Sequence, residues 1–216
     1  MSEFQGFSQA SVDFLWGIRF NNERTWFLAH KQEYLELVDG PIRALGAEVH
    51  REMEEKYPQL GLNLRISRIY RDARRLHGRG PYKDHLWFTL GPPKEPGVSR
   101  PALYFEIAPE YFSYGMGYYS ASPEVMAALR ARIDRDPKTL EKLARKLKGS
   151  EFTLEGREYK RPKGDPGPLL APWYNRREIA LTHDENCEGI LFQPQLVQRV
   201  VQGFDFLIPY YTYFLS

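Results

Sequence analysis

LNLRISRIYRDARRLHGRGPYKDHLWF, residues 62–88, contains the change of period that decides the fold. Leu62, Leu64, Ile66, Arg68 and Tyr70 share one parity, while Asn63, Arg65, Ser67, Ile69 and Arg71 share the other. A period of two marks a strand with unlike faces. One unbroken strand through Tyr70 would put Arg68 on the apolar side with Leu64 and Ile66. That predicts a buried guanidinium meeting a carboxylate or an anion, and a bulge near Ile69 would reverse the parity. Gly78-Arg79-Gly80-Pro81 then leads into a second strand, with Leu86, Phe88 and Leu90 on one side and Trp87 and Thr89 on the other.

The same stretch concentrates charge. Residues 65–83 hold seven basic side chains and one acidic one, a net +6, whereas the whole chain carries +2. The rest of the chain therefore sums to −4. Such crowding is costly unless carboxylates or an anionic ligand neutralise it. Arg68, Arg71, Arg74 and Lys83 are the candidate anion ligands, because guanidinium forks suit phosphate and carboxylate. Asp72 lies among arginines that lower its pKa, which suits it better to orienting Arg71 or Arg74 than to acting as a base. Tyr82 and Lys83 follow a stiff Gly-Pro turn that fixes their direction. The bland alternative is a structural salt-bridge network with some arginines solvated, and a Tyr–Lys pair covering a sheet edge.

Working outward, the period before residue 62 is helical. Ser8 is the expected N-cap of a first helix to about Ile18. Asn22 is expected to cap a second helix carrying Trp26, His30, Tyr34 and Leu37/Val38. Asp39-Gly40-Pro41 should break that helix and open a third, with Ile42, Leu45, Val49 and Met53 buried. After residue 100, Leu103, Phe105 and Ile107 alternate, as do Phe112, Tyr114, Met116 and Tyr118. Gly115 and Gly117 leave a bare stripe, where a packed helix or a ligand is expected to approach. Ser122-Pro123 and Asp136-Pro137 open two further helices. FTLEGREYK reads as a hairpin turning at Glu155-Gly156, followed by a strand at Ile179–Leu181. Pro194 begins a last helix that should kink or break near Pro209. Helices, then clustered strands, then helices again indicate one α+β domain over residues 1–216 with a mainly antiparallel sheet.

Composition bounds the function classes. The 216 residues suffice for a sizeable core, and the apolar and charged contents, 42% and 27%, are those of an ordinary globular chain. The single cysteine, Cys187, excludes an internal disulfide and fits a reducing, cytoplasmic setting. The amino terminus lacks the basic and apolar regions of a secretory signal, and no apolar run is long enough to span a membrane. The five histidines and Cys187 show no metal-ligand spacing. Walker, dinucleotide and nucleophile-elbow patterns are absent, so no cofactor is indicated.

Several motifs together resemble a known family, domain of unknown function 2461. They are Phe20-Asn21-Asn22-Glu23-Arg24 with Trp26-Phe27 and His30-Lys31, Ile69-Tyr70-Arg71-Asp72-Ala73-Arg74, Gly80-Pro81-Tyr82-Lys83, the Gly115/Gly117 strand, and Lys160-Arg161-Pro162-Lys163-Gly164. The chain departs from the family pattern with Arg75 in place of Phe and Arg79 in place of Lys. Asp165-Pro166-Gly167-Pro168 replaces a segment that often carries a histidine. The resemblance implies a single intracellular α+β domain and supplies no chemistry.

The leading expectation is therefore a pocket for a phosphorylated or carboxylated small molecule, with or without catalysis, lined by Arg68, Arg71, Asp72, Arg74, Tyr82, Lys83, Arg161 and Lys163. Arg161 and Lys163 enter because their loop is also cationic and Gly/Pro-stiffened, so one anion could join the two segments. The alternatives are a nucleic-acid accessory protein that stacks bases on Trp87, Tyr104 or Tyr118, and a non-catalytic protein-interaction module.

Overall fold

The structure, a computed structural model, describes residues 3–72, 74, 78, 80–93, 95, 97–118 and 120–215. Arg75, His77 and Arg79 of the basic stretch lie outside the described residues. The chain is α+β, and among the described residues six strands form an antiparallel sheet in the order β1-β2-β3-β4-β6-β5. These are β1 (Asn63–Ile66), β2 (Leu86–Gly91), β3 (Ala102–Ile107), β4 (Tyr111–Gly117), β5 (Thr153–Glu155) and β6 (Ala180–Asn186). By compactness the chain divides into two units, Met1–Leu90 with Tyr104–Tyr114 and Asp184–Gln202, and Gly91–Leu103 with Gly115–His183 and Gly203–Ser216.

In the first unit, α1 (Gln9–Phe20) opens on a capping box in which Ser8 and Ser11 bond each other's backbone amides. Its apolar stripe buries Phe14, Leu15 and Ile18. Helices α2 (Arg24–Ala29) and α3 (Lys31–Tyr34) follow. The expected break at Asp39-Gly40 does not occur. A π-helical turn over Leu35–Asp39 absorbs the misfit and runs straight into α4 (Gly40–Lys56), with Pro41 in the first turn. Gly46 lets α4 lie close on the sheet, since a Cβ there would press on Leu64 and Phe88 at 3.2–3.3 Å.

In the second unit, α5 (Pro123–Arg135), capped by Ser122, and α6 (Pro137–Leu147) start at the predicted prolines. The hairpin expectation is overturned. β5 pairs antiparallel with β6, Thr153 opposite Thr182, and Glu158 bridges Arg176. Gly156, at φ +115°, turns the chain where a Cβ would strike the Glu178 carbonyl, so Arg157–Tyr159 runs on beside residues 175–177 rather than folding back. The expectation of a packed helix or a ligand is corrected at Gly117, where a Cβ would meet the Ile179 carbonyl oxygen at 2.7 Å and Ala180 at 2.9 Å, so neighbouring main chain makes the close approach there. Helix α7 (Ala171–Tyr174) is a single turn, and α8 (Leu196–Leu215) carries Pro209 within it without ending. In the second unit Phe204, Leu207, Tyr210 and Tyr211 of α8 are fully buried, which holds the helix through the lost hydrogen bond. Among the described residues, no helix is long and apolar enough to cross a membrane.

Candidate functional site

The basic stretch is shaped by a mismatch between its two strands. Ser67 donates its amide to the Trp87 carbonyl at 2.8 Å, and the Trp87 amide is taken by the Ser67 hydroxyl at 3.0 Å. The next bridge is Tyr70 with Tyr82, flanked by Arg71 N–H to Pro81 O and Lys83 N–H to Ile69 O, both 2.8 Å. Between these pairs Arg68 and Ile69 face the longer Lys83–Leu86 segment, so the second strand bulges. This corrects the prediction for Arg68. β1 ends at Ile66, Ile69 turns into the core at 3% exposure, and Arg68 is exposed rather than buried.

The bulge is anchored from far along the chain. The Asn22 side chain does not cap α2, whose N-cap Glu23 makes no side-chain bond. Its amide instead pairs with Tyr82 at both main-chain groups, accepting from the N–H at 2.9 Å and donating to the carbonyl at 2.9 Å. Gly80 has no side chain because the Asn22 carboxamide occupies the place of its Cβ. Tyr82 is buried and stacks on Phe27, ring centroids 4.1 Å apart. It is therefore a packing residue.

On the bulge, Asp84 is the electrostatic centre, with its side chain 16% exposed. It accepts from Arg19 Nε at 2.6 Å, His85 Nδ1 at 2.9 Å and Arg71 at 3.4 Å. Burial alone would raise its pKa, but the hydrogen bonds from His85 and Arg19 hold it below the ordinary aspartate value. Arg71 also donates from Nε to the Tyr82 carbonyl at 2.7 Å, which leaves it a fixed strut. Arg19 reaches Glu110 as well and lies over Trp16.

Lys83 and Arg68 are handled differently. The Lys83 ammonium donates to the Arg68 carbonyl and sits 4.7 Å from the centre of the Trp87 ring, which His85 also flanks. Burial lowers its pKa below the usual lysine value, and the charges of Arg68 and Arg71 push it the same way. Among the described residues, neither the Arg68 guanidinium nor the Lys83 ammonium has a carboxylate partner. The positions of this stretch outside the described residues, Ala73, Arg75, Leu76, His77 and Arg79, are not acidic.

The remaining predicted residues are held by other contacts. Asp72 and Arg74 bind each other through two side-chain contacts of 3.1 and 2.8 Å, with the Arg74 side chain 88% exposed. Arg161 and Lys163 belong to the second unit, where residues 160–165 are all exposed. Asn175 pins that loop by accepting from Lys163 N–H at 2.6 Å and donating to the Gly164 carbonyl at 3.0 Å. Tyr159 carries Lys163 at 4.8 Å and Arg130 at 5.4 Å from its ring centre. Two open clefts described in the second unit, about 240 and 460 Å³, are not lined by either residue. Arg19, Asp84, His85 and Glu110 were missed from sequence. The signal for Asp84 was its place one residue beyond the basic run, next to a histidine.

A family model described as "Conserved hypothetical protein (DUF2461)" matches residues 10–213. The chain belongs to this family. Two of the motifs that suggested the family, Asn21-Asn22 and Gly80-Pro81-Tyr82, meet in the Asn22–Tyr82 clasp. No curated protein matches the chain.

Proposed function

We propose that this member of the family binds a phosphorylated or carboxylated small molecule through Arg68 and Lys83, in the cytoplasm, where a lone cysteine stays reduced. The charge balance around the bulge carries this reading. Asp84 and Glu110 are taken by Arg19, Arg71 and His85, and no carboxylate among the described residues pairs with Arg68 or Lys83, whose ammonium rests on the Arg68 carbonyl and the Trp87 ring. An anion there would relieve their mutual repulsion and meet a half-buried ammonium, where a charge-assisted hydrogen bond is worth about 1.5–3 kcal/mol. Arg68 is exposed, so its share should fall with salt.

Melting temperature against sulfate concentration tests the reading. Non-specific salting-out rises without limit, whereas a site saturates. The parent should show a saturable rise, which Arg68→Gln and Lys83→Met each weaken. The double variant should add little further, because both groups share one ligand. No saturable component in the parent, or an undiminished one in both variants, would falsify the proposal.

A further inference from the structure

The imidazole of His85 is held at one nitrogen and open at the other. Its Nδ1 lies 2.9 Å from Asp84 Oδ1, and its ring stacks on Trp87 at 5.5 Å. Burial raises the Asp84 pKa, but the bonds from His85 and Arg19 hold it below the ordinary value, so the carboxyl is ionised near neutral pH. An ionised carboxylate has no proton to give. Nδ1 is therefore the donor, and a neutral ring then carries its free lone pair on Nε2. Among the described residues Nε2 has no hydrogen-bond partner, and the side chain is 31% exposed. Arg19 and Arg71 brace Asp84 in turn, and Trp87 backs the ring, so the lone pair points in a fixed direction.

The same Trp87 ring carries the Lys83 ammonium at 4.7 Å, so ammonium and imidazole centre are at most about 10 Å apart, the sum of the two distances. Hydrogen bonds of about 2.8 Å at each end leave up to about 5 Å for the ligand's own atoms, a spacing of a few bonds. A lone pair accepts and cannot donate, so it favours a hydroxyl and gains nothing from an ether, a carbonyl or a second charged oxygen. From the juxtaposition of His85 Nε2 and the Lys83 ammonium on one Trp87 ring we infer that the anion site takes a hydroxylated anion. Its charged group sits at Lys83 and Arg68, and a hydroxyl a few bonds away donates to His85 Nε2. A sugar phosphate and a hydroxy acid share this chemistry. The inference rests on the anion site proposed above and names its ligand class.

The test compares two pairs by isothermal titration against the whole chain: glycerol 3-phosphate with propyl phosphate, and 4-hydroxybutyrate with butyrate. Each pair shares its charged group and carbon chain and differs in hydroxyls. In at least one pair the hydroxylated member should bind threefold or more tightly, and the pair that shows it identifies the charged group. His85→Phe, which keeps a ring on Trp87, should remove that advantage and leave the affinity of the plain anion within twofold. A second readout does not depend on a variant. Long-range ¹H–¹⁵N spectra of the parent at mildly alkaline pH should show His85 with its proton on Nδ1, and Nε2 should shift with the hydroxylated anion but not with the plain one. No hydroxyl advantage in either pair, an advantage that survives in His85→Phe, or a proton on Nε2 overturns the inference and leaves the anion site standing. If none of the four anions binds, the anion site itself falls.

Discussion

Two basic segments of similar composition end in different states. Both are irregular and stiffened by glycine and proline, and both carry several cations with few acids nearby in sequence. Around residues 68–85 the chain partly buries Lys83, fixes Arg71 on Asp84 and Tyr82, and leaves Arg68 without a carboxylate among the described residues. At residues 160–165 every residue is exposed, and the polar effort goes into main-chain pinning by Asn175. Exposed cations are solvated and screened, and their pairs are worth about 0–1 kcal/mol. Charge count alone does not make a site. The proposed site differs in that Lys83 is partly desolvated and has no carboxylate among the described residues, where an anion's charge would gain most.

The comparison can be broken first at its scaffold. Asn22→Ala should cost the most, about 2–4 kcal/mol by urea unfolding, since two partly buried main-chain groups of Tyr82 lose their partners. It should also abolish the sulfate response by releasing the bulge. A loss below 1 kcal/mol would mean that the clasp is incidental.

Asp84→Asn comes next, at about 1.5–3 kcal/mol near neutral pH, because Arg19 and Arg71 lose a charged acceptor. The pH dependence has a definite sign. The pKa of Asp84 is depressed in the folded chain, so its contribution is present above the unfolded value, near 3.9, and is lost as pH falls through the lower folded value. The variant should therefore lose less stability than the parent on acidification below about pH 4. Parallel curves would show that Asp84 is not the acid-sensitive group.

Arg74→Gln and Lys163→Gln should have the smallest effects, within about 0.5 kcal/mol, with the sulfate response intact in both. A lost response in Lys163→Gln would overturn the contrast between the two segments.

The architecture was legible where local rules decide. Ser8, Ser122, Pro41, Pro123 and Pro137 act through their own caps and first turns, and the apolar periods named most of the buried stripes. What escaped depends on partners distant in sequence. Asn22 could cap its own helix, but its amide finds Tyr82 sixty residues on. FTLEGREYK could fold on itself, but β5 finds β6. The parity that would have buried Arg68 fails because Lys83–Leu86 is longer than the segment it faces, and neither segment shows that alone. The basic cluster was visible as charge. Its division into struts, a solvated pair and cations with no carboxylate among the described residues depended on Asp84, Glu110 and Arg19, which meet only in the fold.

The most direct measurement is a phosphate titration of uniformly ¹⁵N-labelled parent protein, followed by amide and lysine side-chain NMR. Saturable shifts should concentrate at Arg68–Tyr70 and Lys83–His85, with a rise in the Lys83 pKa on binding and residues 160–164 unmoved. Shifts centred on residues 160–164, or none that saturate, would contradict it.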